Sequence, residues 1–375
     1  MPDKELASRL KAARQSVGLS LTEAAKRLGF KQYQILSNIE NADRAVKVSE
    51  LAKFAQIYFR NISEFLDEIN KDRAYSFLWR NGPKADEKKE IEGKIFQKCE
   101  QYHLLEKLLN ICVDRSFLDV APEHIRNYYY ISDLAEQTRL LLKLGSRPAF
   151  ALLKVLEQDY GVKILFLPLG ERSAASLVHT QCGKLIIINS TEVPWRRNYD
   201  LAHELFHLIL WKIYPPETLQ DKEPFDDMER KANFFASALL LPEDEFKNVM
   251  VKILESQKNI TYSDLVDMAM DFGVSTQAVV YRCAFLKYIK WDDAKKIALD
   301  VQLAENNREK RFVEQEPVAM SDRFATLAVK CLRKGLISRG KFADIVEIDR
   351  SDIDNFIENK GIMEKEGKQI EIMAS

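Results

Sequence analysis

Hydrophobic and polar positions at the start of the chain alternate with the spacing of short amphipathic helices. A first helix is predicted by apolar residues three or four positions apart, which are Leu6, Leu10, Ala13 and Val17. Thr22 can cap a second helix, and Gly29 then turns the chain. Further helices are predicted over residues 32–38, 48–59 and 62–69, so that five short helices begin the protein.

Two kinds of apolar run follow in the middle of the chain. Residues 162–167 and 185–188 are short, rich in β-branched side chains and bounded by Gly and Pro, which is typical of strands. Residues 198–210 and 226–242 carry apolar residues at helical spacing, and Pro242 ends the second of these helices. The pattern therefore predicts a mainly α protein with a small β-sheet, which is an α+β fold.

The helix predicted over residues 198–210 contains a motif that can bind a metal, namely His203, Glu204, Leu205, Phe206 and His207. Positions i and i+4 share one face of a helix, so His203 and His207 can bind the same Zn²⁺ ion. Glu204 would accept a proton from the water that the metal acidifies. The alternative is a pair of histidines at the edge of a core. Leu210 and Ile213 replace the Gly and His of metzincins, which excludes that class.

The helix predicted over residues 226–242 offers a third ligand. One stripe of this helix consists of Glu229, Ala232, Asn233, Ala236 and Leu240. Its small residues allow close packing of helices, and we predict Glu229 as the ligand. Acidic neighbours compete for the same role, and they are Glu223, Asp226 and Asp227. Asn233 could accept the Nδ1 proton of a ligating His and fix its tautomer.

These two motifs resemble those of the ImmA/IrrE-type metallopeptidases. The matching letters are H-E-L-F-H at residues 203–207 and E-x-x-A-N-x-F-A-x-x-L-L-x-P at residues 229–242, and the resemblance covers about residues 130–290. It implies a zincin-like, gluzincin-type endopeptidase with one Zn²⁺ per chain. Members of the family are typically tied to the cleavage or inactivation of a partner repressor. Phe206 departs from the family, where this position is often a small residue.

The approach of a peptide substrate can also be predicted. An edge strand of the small sheet can pair with an extended peptide and lay the scissile bond across the metal. The alternative is that the strands only cover the metal-binding helix. Because peptide hydrolysis develops negative charge on oxygen, we consider three residues that could stabilise this oxyanion, namely His179, Tyr199 and Arg197.

The N-terminal segment resembles Xre/Cro-type helix-turn-helix domains over about residues 4–68, with the central L-T-x-x-A-x-x-L-G at residues 21–29. The resemblance implies binding of double-stranded DNA. The residues that would face the major groove are Gln32, Tyr33, Gln34 and Ser37, and those that would contact phosphate are Lys31, Arg44 and Lys47. Residues 1–60 carry eleven Lys and Arg against six Asp and Glu, a net charge of +5. The alternative is a helical bundle for docking or dimerisation.

A second segment, residues 265–279, also looks like a helix-turn-helix sequence. It could be a second DNA-binding unit. We favour the alternative that it is a helical closure of the peptidase domain, as is common in the family.

Composition and length agree with a protein of several domains. The chain has 375 residues, a net charge of −1, 46% hydrophobic residues and 30% charged residues. Its five cysteines form no CxxC pair, and no membrane-spanning run or signal peptide is evident, so we expect a cytoplasmic protein without a membrane partner. The predicted domains are a helix-turn-helix domain (1–75), a helical linker (76–129), a zincin-like metallopeptidase domain (130–290) and a C-terminal helical unit (291–375).

The predicted function is that of a DNA-binding transcriptional regulator with a zinc-dependent endopeptidase domain. Its substrate would be a partner repressor or an antitoxin-like protein. The alternative is a non-catalytic repressor or antitoxin that uses the zincin fold to bind a partner protein. We expect the DNA site to be an inverted repeat, which a homodimer would bind. Cleavage in cis within residues 84–94 would release the DNA-binding domain, but we favour a separate substrate.

Overall fold

Most of the chain folds into helices, and one small β-sheet lies among them. The computed structural model describes residues 3–58, 60, 62, 65, 78–80, 85–125, 127–170, 174–179, 183–215, 218, 222–257, 259–311 and 317–360. They belong to two compact units, of which the larger comprises residues 1–100 and 113–319 and the smaller residues 101–112 and 320–375. The predicted fold class, mainly α with a small β-sheet, is confirmed.

Within the described residues, four short helices belong to the N-terminal domain. They are α1 (Lys4–Ser16), α2 (Leu21–Leu28), α3 (Tyr33–Glu40) and α4 (Val48–Ile57). Their apolar faces meet in a core of their own, which contains Leu10, Leu28, Leu36 and Phe54. Gly29 ends α2 with a φ of 78°, a left-handed conformation that glycine adopts without steric strain.

The ends of α2 and α3 correct the sequence predictions. Ser20, rather than Thr22, caps α2: its hydroxyl accepts a hydrogen bond from the Glu23 N–H, and the Glu23 carboxylate accepts one from the Ser20 N–H. The helix α3 begins one residue later than predicted because Gln32 is its N-cap, and it continues to Glu40. The predicted fifth helix, residues 62–69, lies largely outside the described residues.

A buried ion pair joins α1 to α3. Arg14 donates from Nε to Glu40 Oε1 at 2.7 Å and from Nη2 to Glu40 Oε2 at 2.9 Å. Its Nη1 donates to the carbonyl oxygen of Leu19 at 2.7 Å. The hydrogen bond to Glu40 raises the pKa of Arg14 above its ordinary value, although burial acts in the opposite direction. The two hydrogen bonds between Arg14 and Glu40 fix the two helices against each other.

One four-stranded sheet lies in the larger unit. Its strands are β1 (Leu78–Arg80), β2 (Lys163–Leu167), β3 (Ala174–His179) and β4 (Gly183–Asn189), in the spatial order β1-β3-β4-β2. β3 is antiparallel to β1 and β4, whereas β2 is parallel to β4. The predicted strands correspond to β2 and β4. The sequence does not predict β3, because it starts with Ala174, Ala175 and Ser176, which have low strand propensity.

The helices between residues 85 and 310 are α5 (Ala85–Leu108), α6 (Tyr128–Leu141), α7 (Pro148–Gln158), α8 (Pro194–Leu210), α9 (Lys222–Leu240), α10 (Glu243–Ser256), α11 (Tyr262–Phe272), α12 (Thr276–Phe285), α13 (Trp291–Ala298) and α14 (Val301–Lys310). Of these, α7 and α8 pack against the sheet, and the helices from α6 to α14 contribute to the main core. In α8, eleven consecutive residues are buried, from Asp200 to Leu210. A helix that is buried on all sides lies inside its domain, so polar residues on α8 require a structural or chemical reason.

The smaller unit combines the end of α5 with α15 (Asp322–Arg333), α16 (Arg339–Val346) and α17 (Ile353–Asn359). Arg323 donates from Nη1 to Glu106 at 2.7 Å and to the Tyr102 hydroxyl at 3.0 Å. The rings of Tyr102 and Phe324 lie 5.0 Å apart. These contacts join two segments that are distant in the sequence. The predicted domain boundaries stay predictions.

Candidate metal centre and DNA-binding helix

Three side chains from α8 and α9 converge in the core of the larger unit. The Nε2 atoms of His203 and His207 lie 3.2 Å apart. Glu229 Oε2 lies 3.3 Å from His203 Nε2, and Glu229 Oε1 lies 3.2 Å from His207 Nε2. The sequence spacing accounts for the two histidines, since they are four residues apart on one helix. The structure therefore brings together the three residues that were candidates for metal ligands.

Close packing of α8 against α9 holds this cluster. Phe206 directly precedes His207 on α8, and its ring lies 5.2 Å from the ring of Phe235 on α9. Ala232 and Ala236 are fully buried on α9, one turn and two turns after Met228. Small side chains let two helix backbones approach each other, so the glutamate of one helix can reach the histidines of the other.

The dimensions of the cluster fit a zinc ion. Zinc binds imidazole nitrogen and carboxylate oxygen at about 2.0–2.2 Å in a tetrahedral arrangement, so two ligand atoms are separated by about 3.4 Å. The separations of 3.2–3.3 Å between the nitrogen and oxygen atoms lie close to this value. Two imidazoles and one carboxylate are also a ligand set of catalytic zinc sites. The residues present therefore fit a zinc ion.

The protonation states of the cluster suit metal binding. Burial alone would raise the pKa of Glu229, but the hydrogen bonds and charges of His203 and His207 outweigh burial and hold this pKa well below its ordinary value. Glu229 is consequently an anion. His203 Nδ1 lies 3.2 Å from Asn233 Oδ1, so the amide oxygen can accept a hydrogen bond from Nδ1–H. Binding of a metal at Nε2 requires the His203 proton on Nδ1, and Asn233 would stabilise that tautomer.

Asn233 is itself held by a neighbouring residue. The hydroxyl group of Tyr199 on α8 donates to the main-chain oxygen of Asn233 on α9 at 2.7 Å. Tyr199 precedes His203 by one helical turn, and Asn233 follows Glu229 by one turn. The hydrogen bond between them therefore joins the two helices directly beside the metal cluster. The sequence suggested the role of Asn233 but did not predict this contact.

Glu204 lies within the buried part of α8 and is 1% exposed. It directly follows His203 in the sequence and is not one of the three clustered ligand candidates. A carboxylic acid in the core of a protein needs a functional or structural reason. The position fits the general base that the H-E-x-x-H motif predicts.

Other candidates from the sequence lie elsewhere. Of the acidic residues that compete with Glu229, Asp227 forms ion pairs with Arg230 and Lys231, while Glu223 and Asp226 are exposed. Among the oxyanion candidates, Tyr199 donates to Asn233 and Arg197 donates from Nη1 to the main-chain oxygen of Ser190 at 3.3 Å. The side chain of His179 lies outside the described part of the structure. The oxyanion role stays a prediction for all three residues.

A cleft of about 430 Å³ opens beside the cluster. Its lining includes Tyr199 and Asn233, which support His203, and the first turns of α8 and α12. Aromatic, polar and small apolar side chains contribute to the lining, and the residues are Glu192, Val193, Trp195, Arg196, Tyr199, Asn233, Ser275, Gln277, Ala278 and Tyr281. The volume is in the range of small-molecule and peptide-binding clefts.

The predicted DNA-contacting residues lie on or next to α3. Lys31, Gln32, Tyr33 and Gln34 are exposed, and Tyr33 is 48% exposed. Ser37 is half-buried on the same helix. Arg44 is half-buried as well, and its Nη2 donates to Glu50 Oε1 at 2.7 Å. The start of α3 is therefore accessible to a large partner, whereas Arg44 already has an anionic partner.

The second helix-turn-helix-like segment has a different environment. It corresponds to α11 and α12, which are joined at Gly273 with a φ of 67°. Most residues of α12 are buried, and these are Thr276, Ala278, Val279, Val280, Arg282, Cys283 and Ala284. Because α12 packs into the main core, it cannot enter a DNA groove without unfolding. The segment is therefore part of the folded core, and its interpretation as a helical closure of the predicted peptidase domain stays a prediction.

Comparison with known protein families identifies two regions of the chain. Residues 157–284 match the family described as IrrE N-terminal-like domain, which belongs to the peptidase families, and residues 10–65 match the family described as helix-turn-helix. The chain thus has an N-terminal helix-turn-helix domain and an ImmA/IrrE-type domain, as the sequence motifs predicted.

Individual relatives add little to this assignment. A transcriptional regulator of Mycobacterium tuberculosis is similar in structure over 50% of this chain and 52% of its own, with 16% sequence identity and a TM-score of 0.30. The similarity thus spans about half of that regulator and does not define a shared fold. No curated protein matches the chain. Among the residues that the structure describes, none of the helices combines the length and the apolar character needed to span a bilayer.

Proposed function

We propose that this chain is a DNA-binding regulator whose ImmA/IrrE-type domain is a zinc-dependent endopeptidase, which cleaves a partner repressor or an antitoxin-like protein. The observation that carries the proposal is the convergence of His203, His207 and Glu229 at 3.2–3.3 Å, with Glu204 buried next to His203. A structural metal site would need four protein ligands, whereas three leave a position for water. The cytoplasm is the expected location.

Each residue has a separate role in the proposed reaction. His203, His207 and Glu229 would hold one Zn²⁺, which when bound would polarise the peptide carbonyl and acidify a water molecule. Glu204 would accept the proton of this water and deliver it to the amine that leaves. Asn233 would keep His203 in the correct tautomer, and Tyr199 would keep Asn233 in place.

The N-terminal domain would place this activity on DNA. Its exposed α3 carries Gln32, Tyr33 and Gln34, and Gln can form two hydrogen bonds to adenine. A protease that is bound to DNA has a high local concentration around a repressor bound nearby. A homodimer on an inverted repeat is the arrangement that helix-turn-helix domains commonly use.

Hydrolysis of a complex peptide mixture tests the peptidase part of the proposal. Zinc-loaded wild-type protein should create new peptide termini that mass spectrometry detects, and the Glu204→Gln variant should create none while retaining its zinc. If both proteins bind one zinc and neither cleaves any peptide, the alternative is favoured, in which the chain is a non-catalytic repressor or antitoxin that binds a partner.

A second experiment separates cleavage in cis from cleavage in trans. Zinc-loaded full-length protein is incubated alone, with the Glu204→Gln variant as control. We expect the chain to stay intact, because a regulator that constantly cleaves itself would not accumulate. A new N-terminal fragment that ends within residues 84–94, formed only by the wild-type protein, would establish self-cleavage and contradict a separate substrate.

A further inference from the structure

The cleft beside the metal cluster has features of a site for an aromatic side chain. Three aromatic residues line it: Trp195 and Tyr199 come from α8, and Tyr281 comes from α12. Aromatic rings pack against other aromatic rings with a stabilisation beyond simple burial. The walls therefore favour an aromatic group over an aliphatic group of similar size.

Two of these rings are held in place by further contacts. The guanidinium group of Arg311 lies over the ring of Trp195, with its carbon 4.6 Å from the ring centroid, and Arg311 Nη2 donates to the main-chain oxygen of Val274 at 2.7 Å. Tyr281 stacks on Trp291 with ring centroids 6.3 Å apart and an interplanar angle of 25°. Rings that are already fixed lose little conformational freedom when a ligand binds.

The cleft is also connected to the metal cluster. Tyr199 and Asn233 line it. The Tyr199 hydroxyl group donates to the main-chain oxygen of Asn233 at 2.7 Å, and Asn233 Oδ1 lies 3.2 Å from His203 Nδ1. Tyr199 lies four residues before His203 on α8, which is about 6 Å along the helix axis. An extended peptide advances by about 3.3 Å per residue. A substrate residue about two positions from the scissile bond would therefore reach the cleft.

We propose that this cleft binds an aromatic side chain of the peptide substrate, about two residues from the bond that is cut. The inference rests on the proposed peptidase function, because that function sets how the peptide runs from the metal cluster to the cleft. The polar residues of the lining, such as Ser275 and Gln277, can form hydrogen bonds with a peptide main chain. The lining therefore suits a peptide better than a purely apolar ligand. The cleft would thus select the substrate, while the metal cluster would cleave it.

Binding can be measured without any hydrolysis. The probes are blocked tripeptides, acetyl-Gly-X-Gly-amide, in which X is Trp, Tyr, Leu or Ala, and the protein is the full-length Glu204→Gln variant. Saturation-transfer NMR should show that the Trp and Tyr peptides bind about five-fold more tightly than the Ala peptide. The additional substitution Tyr281→Ala should remove this preference. Tyr129→Ala is the matched control, because Tyr129 is 80% exposed and lies on α6.

The outcomes distinguish this inference from the proposed function. Equal binding of all four peptides, or a preference that Tyr281→Ala leaves unchanged, would overturn the aromatic site even if the protein is an active peptidase. Free tryptophan that competes as strongly as the Trp peptide would point to a small-molecule effector and would also overturn it. If the protein hydrolyses nothing but the preference disappears with Tyr281→Ala, the aromatic site stands and the peptidase function fails.

Discussion

Two of the places where the described residues bury charged or titratable groups differ in kind. In the N-terminal domain, Arg14 and Glu40 form an ion pair in which a cation meets an anion through two hydrogen bonds. In the ImmA/IrrE-type domain, two histidines and the anion of Glu229 converge within 3.3 Å. In the ion pair, each charged group finds its partner within the protein. The second arrangement brings together three groups that can each donate an electron pair, which is the arrangement that a metal ion binds.

This difference shows why burial of polar residues does not by itself identify a functional site. Arg14 and Glu40 are about as inaccessible as the metal cluster, with side chains 9% and 3% exposed. The contact between them nevertheless accounts for the burial of both side chains. The geometry around each group is what separates the two cases. A matched pair holds two helices together, whereas a convergent set of donors indicates a ligand. Substitutions at His203, Glu40 and Asn233 should each affect one arrangement and leave the other unchanged.

The largest effect is expected for the replacement of a metal ligand. His203→Ala leaves two protein ligands, so zinc affinity should fall by about a thousandfold or more, which corresponds to roughly 4 kcal/mol. Competition with a chromophoric chelator measures this affinity. His103→Ala is the control, because His103 lies on α5 and outside the cluster. Zinc affinity within threefold of wild type in His203→Ala would contradict the proposed site.

Removal of one partner of the ion pair should affect stability instead. Glu40→Ala leaves the Arg14 guanidinium buried without its anion, which should destabilise the N-terminal domain by about 3 kcal/mol. The first unfolding transition of the full-length chain in urea measures the change. Zinc content of the folded protein should stay at the wild-type value. Loss of zinc in Glu40→Ala would show that the two arrangements are coupled.

A smaller effect is expected for the residue that orients His203. Asn233→Ala removes the acceptor of the Nδ1 proton, and zinc affinity should fall by about 10- to 100-fold. Asn248→Ala is a matched control, since Asn248 is exposed on α10. Tyr199→Phe should lower zinc affinity by less than Asn233→Ala does, because the Tyr199 hydroxyl group acts through Asn233. Unchanged affinity in Asn233→Ala would remove its role in fixing the tautomer.

The smallest effect is expected for an exposed charge that belongs to neither arrangement. Lys31→Ala should weaken DNA binding by about 1 kcal/mol for all sequences alike and should reduce the dependence of affinity on salt. Gln34→Ala should instead relax the preference for the operator. Fluorescence anisotropy with specific and random duplexes measures both. Lys53→Ala on α4 is the control, and identical salt dependence in Lys31→Ala and wild type would exclude a phosphate contact.

Local patterns allowed much of this structure to be predicted. The i, i+4 spacing of His203 and His207 requires only one helix, and the stripe that contains Glu229 and Asn233 requires only a second helix nearby. The strands β2 and β4 were predictable because they are rich in Ile and Leu and are bounded by glycine and proline. The L-T-x-x-A-x-x-L-G segment similarly indicated α2 and its glycine turn.

Features that depend on distant residues were not predictable. Arg14 and Glu40 are 26 positions apart, and nothing local indicates that they pair. Tyr199 was a candidate for stabilising an oxyanion, but its hydroxyl group donates to Asn233, 34 residues away. The burial of α12 is similar: its sequence is that of a helix-turn-helix segment, and only tertiary packing shows that it lies in the core. The cleft arises from three helices and has no local signature.

Anomalous diffraction at the zinc edge, from crystals of zinc-loaded full-length protein, tests the metal centre most directly. We expect a single strong peak per chain, about 2.0–2.2 Å from the Nε2 atoms of His203 and His207 and from a carboxylate oxygen of Glu229. Asn233 should remain within hydrogen-bond distance of His203 Nδ1. No peak at this position, although zinc is present in the crystal, would show that this buried cluster is not a metal site.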